Sequence, residues 1–127
     1  MRRCPRRGSV LAVIRTAGTA MPILSYAAQY GAPCCTVGRW LLPPLVGNVG
    51  KAELFIHDSL HTAENTLFEM EQAASIMPPG GLMLVDDIRG HDGFRTFARR
   101  HPEFETMLCS TEDRAAGFGI AVRTGAA

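Results

Sequence analysis

Residues Leu54 to Ile88 read LFIHDSLHTAENTLFEMEQAASIMPPGGLMLVDDI, and the alternation of short apolar runs with polar punctuation in this stretch decides the fold class. Ala52 to His57 carries Leu54, Phe55 and Ile56, a short run followed by polar residues, as expected of a strand buried on both faces. Between Ala63 and Met77 the apolar positions Ala63, Leu67, Met70, Ala74 and Met77 step by four, three, four and three, while Glu64, Glu69, Glu71 and Gln72 take other directions. That spacing predicts an amphipathic helix. Pro78, Pro79, Gly80 and Gly81 stop it. Leu82 to Val85 is the second short apolar run, and it ends on two carboxylates, Asp86 and Asp87. Strand, helix, strand predicts a parallel pair joined by a right-handed crossover, because an antiparallel hairpin needs no helix between its strands.

Downstream, the pattern predicts a helix from Gly93 to His101, with Asp92 as its N-cap, Phe94, Phe97 and Ala98 on one face and Pro102 as the stop. Two strands follow, Phe104 to Cys109 and Phe118 to Arg123, around a polar turn with Glu112, Asp113 and Arg114. Upstream, Ser9 to Ile14 reads as a strand, Ala20 to Tyr30 as a helix despite Pro22, and Cys34 to Val37 as a strand, which together make a further crossover unit. Trp40 to Gly50, with Pro43, Pro44, Gly47 and Gly50, reads as a loop. The fold class is α/β, with no internal repeat.

The 127 residues are 46% hydrophobic and 20% charged, too apolar for a disordered tail and enough for one core. No run of about 18 uncharged apolar residues occurs, so no membrane span is expected. Residues 1–50 hold six arginines and no Asp or Glu; residues 51–127 hold seven basic groups and all twelve acids. The break divides the chain into a basic, acid-free N-terminal segment and an α/β part from residue 51 onward. Arg2, Arg3, Arg6 and Arg7 lack interleaved aromatics, which argues against a nucleic-acid partner. The apolar stretch before Arg15 is too short for a secretory leader, although an Arg-rich, acid-free start also suits a transit peptide. Cys4, Cys34, Cys35 and Cys109 lack C-x-x-C spacing, so free thiols in a reducing cytoplasm are expected.

Open parallel sheets bind ligands at the carboxyl ends of their strands. His57, Asp58, Ser59 and His61 follow the first strand of the decisive stretch, and Asp86 and Asp87 follow the second. Carboxylates crowded at one sheet edge resist ionising unless a cation neutralises them, and oxygen ligands favour a hard ion such as Mg2+ over Zn2+. Each residue also has a plain structural job open to it. Asp58 could cap the helix beginning near Thr62, Asp86 and Asp87 could bond the following loop, and His57 suits a packed strand end better than a ligand.

The stretch Leu54 to Ile88 resembles the fourth strand, following helix and fifth strand of class I S-adenosylmethionine-dependent methyltransferases. It is most similar to the small-molecule O-methyltransferase branch, with HDSxH after strand four, a PGG turn and a DD pair after strand five. FGIAVR, Phe118 to Arg123, is similar to that family's antiparallel last strand. The resemblance covers residues 52–123 and implies part of a Rossmann-like sheet, mostly parallel with an antiparallel last strand. By resemblance Asp58, Asp86 and Asp87 would hold Mg2+, His61 would be the base, S-adenosylmethionine would be the methyl donor, and a small hydroxylated molecule would be the acceptor. The resemblance leaves self-association as a homo-oligomer open.

The family's glycine-rich donor loop and its acidic ribose ligand have no counterpart in residues 1–50, where Val13 to Pro22 contains only Gly18 and no acid precedes Glu53. Two further expectations therefore stand beside the enzyme. One is a truncated or rearranged, catalytically inactive remnant that acts as a binding or structural module. The other, weaker, is a metal-dependent phosphohydrolase suggested by the His57 and Asp58 dipeptide.

Overall fold

A computed structural model describes residues 10–14, 20–22, 42–44, 46–48, 50–58, 61–113 and 117–125. In chain order these form β1 (Val10–Ile14), β2 (Ala20–Pro22), β3 (Leu54–Asp58), α1 (Ala63–Ala74), β4 (Leu82–Asp86), α2 (Gly93–Arg100), β5 (Phe104–Ser110) and β6 (Gly117–Arg123). The strands make one mixed sheet in the order β2-β1-β3-β4-β6-β5. The class is α/β, as the sequence pattern predicts.

The sheet is not mostly parallel. Among the described residues only β3 and β4 run parallel, with Phe55 opposite Met83 and His57 opposite Val85. β1 is antiparallel to both β2 and β3, and β6 is antiparallel to both β4 and β5. The reason is local. A parallel connection needs a long crossover, and α1 supplies one between β3 and β4, whereas β1 turns into β2 as a hairpin and β5 turns into β6 across a short polar segment. Ala20 to Pro22, expected to open a helix, is therefore a strand paired with β1; residues 23–30 and the Cys34 to Val37 strand lie outside the described residues. Within the expected loop Trp40 to Gly50, residues 42–44 and 46–48 are helical, and Leu42 and Val46 join the core.

β3 and β4 alternate buried and part-exposed positions, so Phe55, His57, Met83 and Val85 face the core while Leu54, Ile56, Leu82 and Leu84 do not. One face is fully buried and the other only in part, where the apolar runs suggest two buried faces. Phe94 and Phe97 of α2 and Met70 and Ala73 of α1 complete the core. The α1 face is turned by about one residue from the apolar stripe: Asn65, Thr66 and Glu69 are buried, while Ala63 and Leu67 are part-exposed.

The segment that separates α1 from β4 is pinned from across the sheet. Arg123 donates from its guanidinium to the carbonyls of Ala74 (3.0 Å) and Met77 (2.6 Å), placing a cation on the orphan carbonyls at the helix C-terminus. Gly80 turns at φ +82, a conformation glycine adopts without penalty, and its N–H donates to Arg123 O at 2.7 Å. The PGG turn thus delivers β4 into register beside β3.

Among the described residues no helix is long and apolar enough to cross a membrane. Cys109 is a free thiol. The other three cysteines lie outside the described residues.

Candidate functional site

β3 and β4 end together because they run parallel with His57 opposite Val85, so the residues that follow each strand emerge at one edge of the sheet. Asp58 is the last residue of β3 and Asp86 the last of β4. His61 sits one turn beyond Asp58, just before α1. A ligand atom from each of Asp58, His61 and Asp86 lies within 4.8 Å of the others.

The structural tasks that could have occupied these residues are done by others. Thr62, in extended conformation, accepts the Asn65 N–H at 3.2 Å and is the cap of α1, which leaves Asp58 uncommitted to that role. The loop after β4 is held by its backbone, Ile88 N–H donating to Gly117 O at 3.2 Å. Asp92, expected to cap α2, stands at the cap position but accepts no hydrogen bond there. His91 takes that role, its Nδ1 accepting the Gly93 N–H at 3.1 Å while Nε2 lies 3.4 Å from the Thr66 hydroxyl.

Asp87, the third acid of the ligand set that the resemblance implies, stands against His61. Its backbone is left-handed, at φ +49, a conformation that Asp tolerates better than most residues. The turn carries its carboxylate to His61, with Oδ2 at 3.1 Å from Nδ1. On the other side of the ring Nε2 lies 3.3 Å from Asp58 Oδ1. The ring is thus held in orientation by a carboxylate on each side, and Nε2, which faces Asp58, can serve as ligand or base when Asp87 holds the proton on Nδ1 and the Asp58 oxygen turns to a cation.

The Asp58 carboxyl is held above its ordinary value of 3.8, first by burial and then by the facing Asp86, with His61 pulling in the opposite direction. Two carboxylates at a partly dry sheet edge, one already resisting ionisation, are the charge pattern that a cation relieves. Ligands about 2.1 Å from one Mg2+ lie roughly 3.0 Å apart when adjacent and roughly 4.2 Å when opposite, so atoms within 4.8 Å of one another draw inward to share an ion.

No family model matches the chain, and no curated protein matches it. The site therefore has to be read from its own geometry.

That geometry includes a residue hidden from pattern reading. His57 is fully buried on the inner face of β3 and its Nε2 lies 3.0 Å from Glu69 Oε2 of α1, itself 2% exposed. The stripe reading places Glu69 off the apolar face of α1. The signal that could have found it is the period of β3: His57 alternates with Phe55 on the inward side, and a histidine placed there calls for a polar partner from the covering helix. The pair ties α1 to the strand that carries Asp58, one residue away. His57 is thus a packed strand-end residue and not a member of the exposed cluster, although the His57 and His61 rings approach to 6.2 Å between centroids.

Proposed function

We propose that the chain is a divalent-cation-assisted O-methyltransferase module, acting on a small hydroxylated molecule with S-adenosylmethionine as donor. The observation that carries this reading is the meeting of Asp58, His61 and Asp86 within 4.8 Å at the carboxyl edge of the parallel pair β3 and β4. The order β3, α1, β4 and the antiparallel β6 beside β4 further support the methyltransferase-like reading of residues 52–123.

In this reading Asp58 and Asp86 hold the ion, in keeping with the one or two carboxylates by which Mg2+ is usually bound. A bound Mg2+ lowers the pKa of a hydroxyl that reaches it. His61, with Nδ1–H given to Asp87, presents Nε2 toward the cluster and removes the hydroxyl proton. The partly exposed edge leaves room for the acceptor to enter from solvent.

The donor side departs from the resemblance. A glycine-rich loop and an acid for the ribose hydroxyls are implied, whereas β1 runs antiparallel to β3 into a hairpin and no Asp or Glu precedes Glu53. No step involving the donor is assigned to residues of this chain. The same observation favours a second reading: a catalytically inactive relative that holds the cation and the acceptor but no donor.

Calorimetric titration of the Mg2+-saturated chain with S-adenosylhomocysteine separates the two. Micromolar binding supports the enzyme. No heat, with cation binding intact, selects the inactive relative, and loss of both overturns the site itself.

A further inference from the structure

On the far side of β4 from β3, the loop after Asp87, the start of α2 and the ends of β5 and β6 enclose a cleft of about 670 Å³. This volume is in the range of small-molecule sites. Its lining includes the apolar Ile88, Phe94, Leu108 and Cys109 and two arginines, Arg89 and Arg95. Leu108 is 54% exposed, one of three large apolar side chains left open among the described residues.

The cleft is made by missing side chains. A Cβ at Gly119 would overlap the Phe94 ring, and one at Gly117 would come within 2.8 Å of Arg89 Cγ. These two glycines lie on one face of β6, so they let Phe94 sink into the floor and let the Arg89 stem lie across the wall. Neither Arg89 nor Arg95 forms an ion pair among the described residues, and the single acid of the lining is Asp92. α2 also begins here, so the positive end of its dipole, met only by the neutral His91 ring, adds to the two cations.

Along the sheet the cleft lies close to the carboxylate cluster: Asp86 is paired with Phe118 and Phe118 with Cys109, two strand spacings of about 4.8 Å, while Gly117 and Gly119 open the cleft on the face of β6 opposite to Phe118. We propose that the cleft binds a small apolar molecule through an anionic group, a carboxylate or phosphate monoester, held by Arg89 and Arg95. We assign this molecule as the acceptor, a step that rests on the function proposed above. Arginine forks recognise both anions in bidentate fashion.

The test is a fluorescence titration of the full chain, without added metal or donor, using 3-hydroxy-2-naphthoate, 2-naphthyl phosphate and the neutral 2-naphthol. At least one anion binds about tenfold or more tightly than 2-naphthol, since charge-assisted bonds are the strong ones, and the preference shrinks as salt is added. The tighter anion names the group. The double variant Arg89→Gln, Arg95→Gln keeps its circular dichroism, because both side chains are exposed, and binds all three probes alike. Equal binding of the three probes by the unaltered chain, or a preference that survives the double variant, overturns the proposal. Neither donor nor metal is in the cuvette, so a silent S-adenosylhomocysteine titration counts against methyl transfer and not against the cleft.

Discussion

Glu69 of α1 and His57 of β3 meet at 3.0 Å with both side chains closed off from solvent. A helix and a strand are thereby joined by a polar contact in the middle of an apolar layer formed by Phe55, Met70 and Val85. Burying such groups is costly unless they satisfy each other, so the contact also sets how α1 is rotated against the sheet. That rotation explains why Asn65 and Thr66 point inward and Leu67 does not.

Glu69→Ala removes the carboxylate from a buried imidazole and leaves space behind it. The expected loss is roughly 2–4 kcal/mol in urea denaturation, and Glu69→Gln, which keeps volume and an oxygen acceptor, loses less. A Glu69→Ala variant within about 0.5 kcal/mol of the native chain, the range of ordinary surface changes, would show that the pair does not hold α1 in place.

The strands and helices that surround this contact are legible in the sequence to within a few residues, because each is a short apolar run or a helical period closed by Pro, Gly or a polar tip. Gly93–Arg100 and Phe104–Ser110 begin where the pattern places them. The gathering of Asp58, His61 and Asp86 is legible for the same reason: parallel neighbours end at one edge. Glu69 is not, since a helical glutamate ordinarily faces water and only the partner across the layer makes it an inward residue. Nor is the rotation of Asp87 toward His61, which depends on one positive φ. The parallel course of β3 and β4 and the antiparallel β6 are legible; the direction of β1 is not, because apolar runs carry no sign of which way a neighbour runs, so the β1–β2 hairpin reads as well as a crossover.

His91 makes folding pH-dependent. Burial first, then the neighbouring His57 and His61, hold its imidazole below the ordinary 6.5, against the pull of Asp87 and Asp92. The neutral ring accepts the Gly93 N–H. An unfolded chain takes up this proton near 6.5 and the folded chain only at lower pH. The contribution of His91 is therefore complete above the unfolded value and is lost as pH falls through the folded one. His91→Ala should cost about 1 kcal/mol at pH 8, as loss of a helix cap does, and distinctly less at pH 5. Urea midpoints at the two pH values check this; an equal cost at both would contradict it.

Gly119→Ala pushes a methyl into the Phe94 ring, which is 1% exposed and has no room to retreat. Overpacking of this kind costs about 1–3 kcal/mol. In a double-mutant cycle with Phe94→Leu, measured by thermal melting, the smaller side chain should relieve part of the cost. Strictly additive losses would place the strain elsewhere.

The carboxylate cluster works against folding when no cation is present. Asp58 is raised above 3.8 in the folded chain, so its contribution is favourable at low pH and is lost as pH rises through the folded value. Asp86→Asn removes the facing charge and should stabilise the metal-free chain at pH 7, by less than about 1 kcal/mol because water screens these partly exposed groups. The same variant should lose the rise in melting temperature that Mg2+ gives the unaltered chain. Calorimetric melting with and without Mg2+ reads both effects, and a variant still stabilised by the ion would remove Asp86 from the site.

The claim on which the account depends is that Asp58 and Asp86 hold a divalent cation beside His61, and electron paramagnetic resonance of Mn2+ titrated into the full chain tests it most directly. A single Mn2+ site that Mg2+ displaces is expected, weakened at least about tenfold by Asp58→Asn and by Asp86→Asn, and changed only a few fold by His61→Ala. No binding at millimolar Mn2+, or an affinity that both aspartate variants leave unchanged, would contradict it.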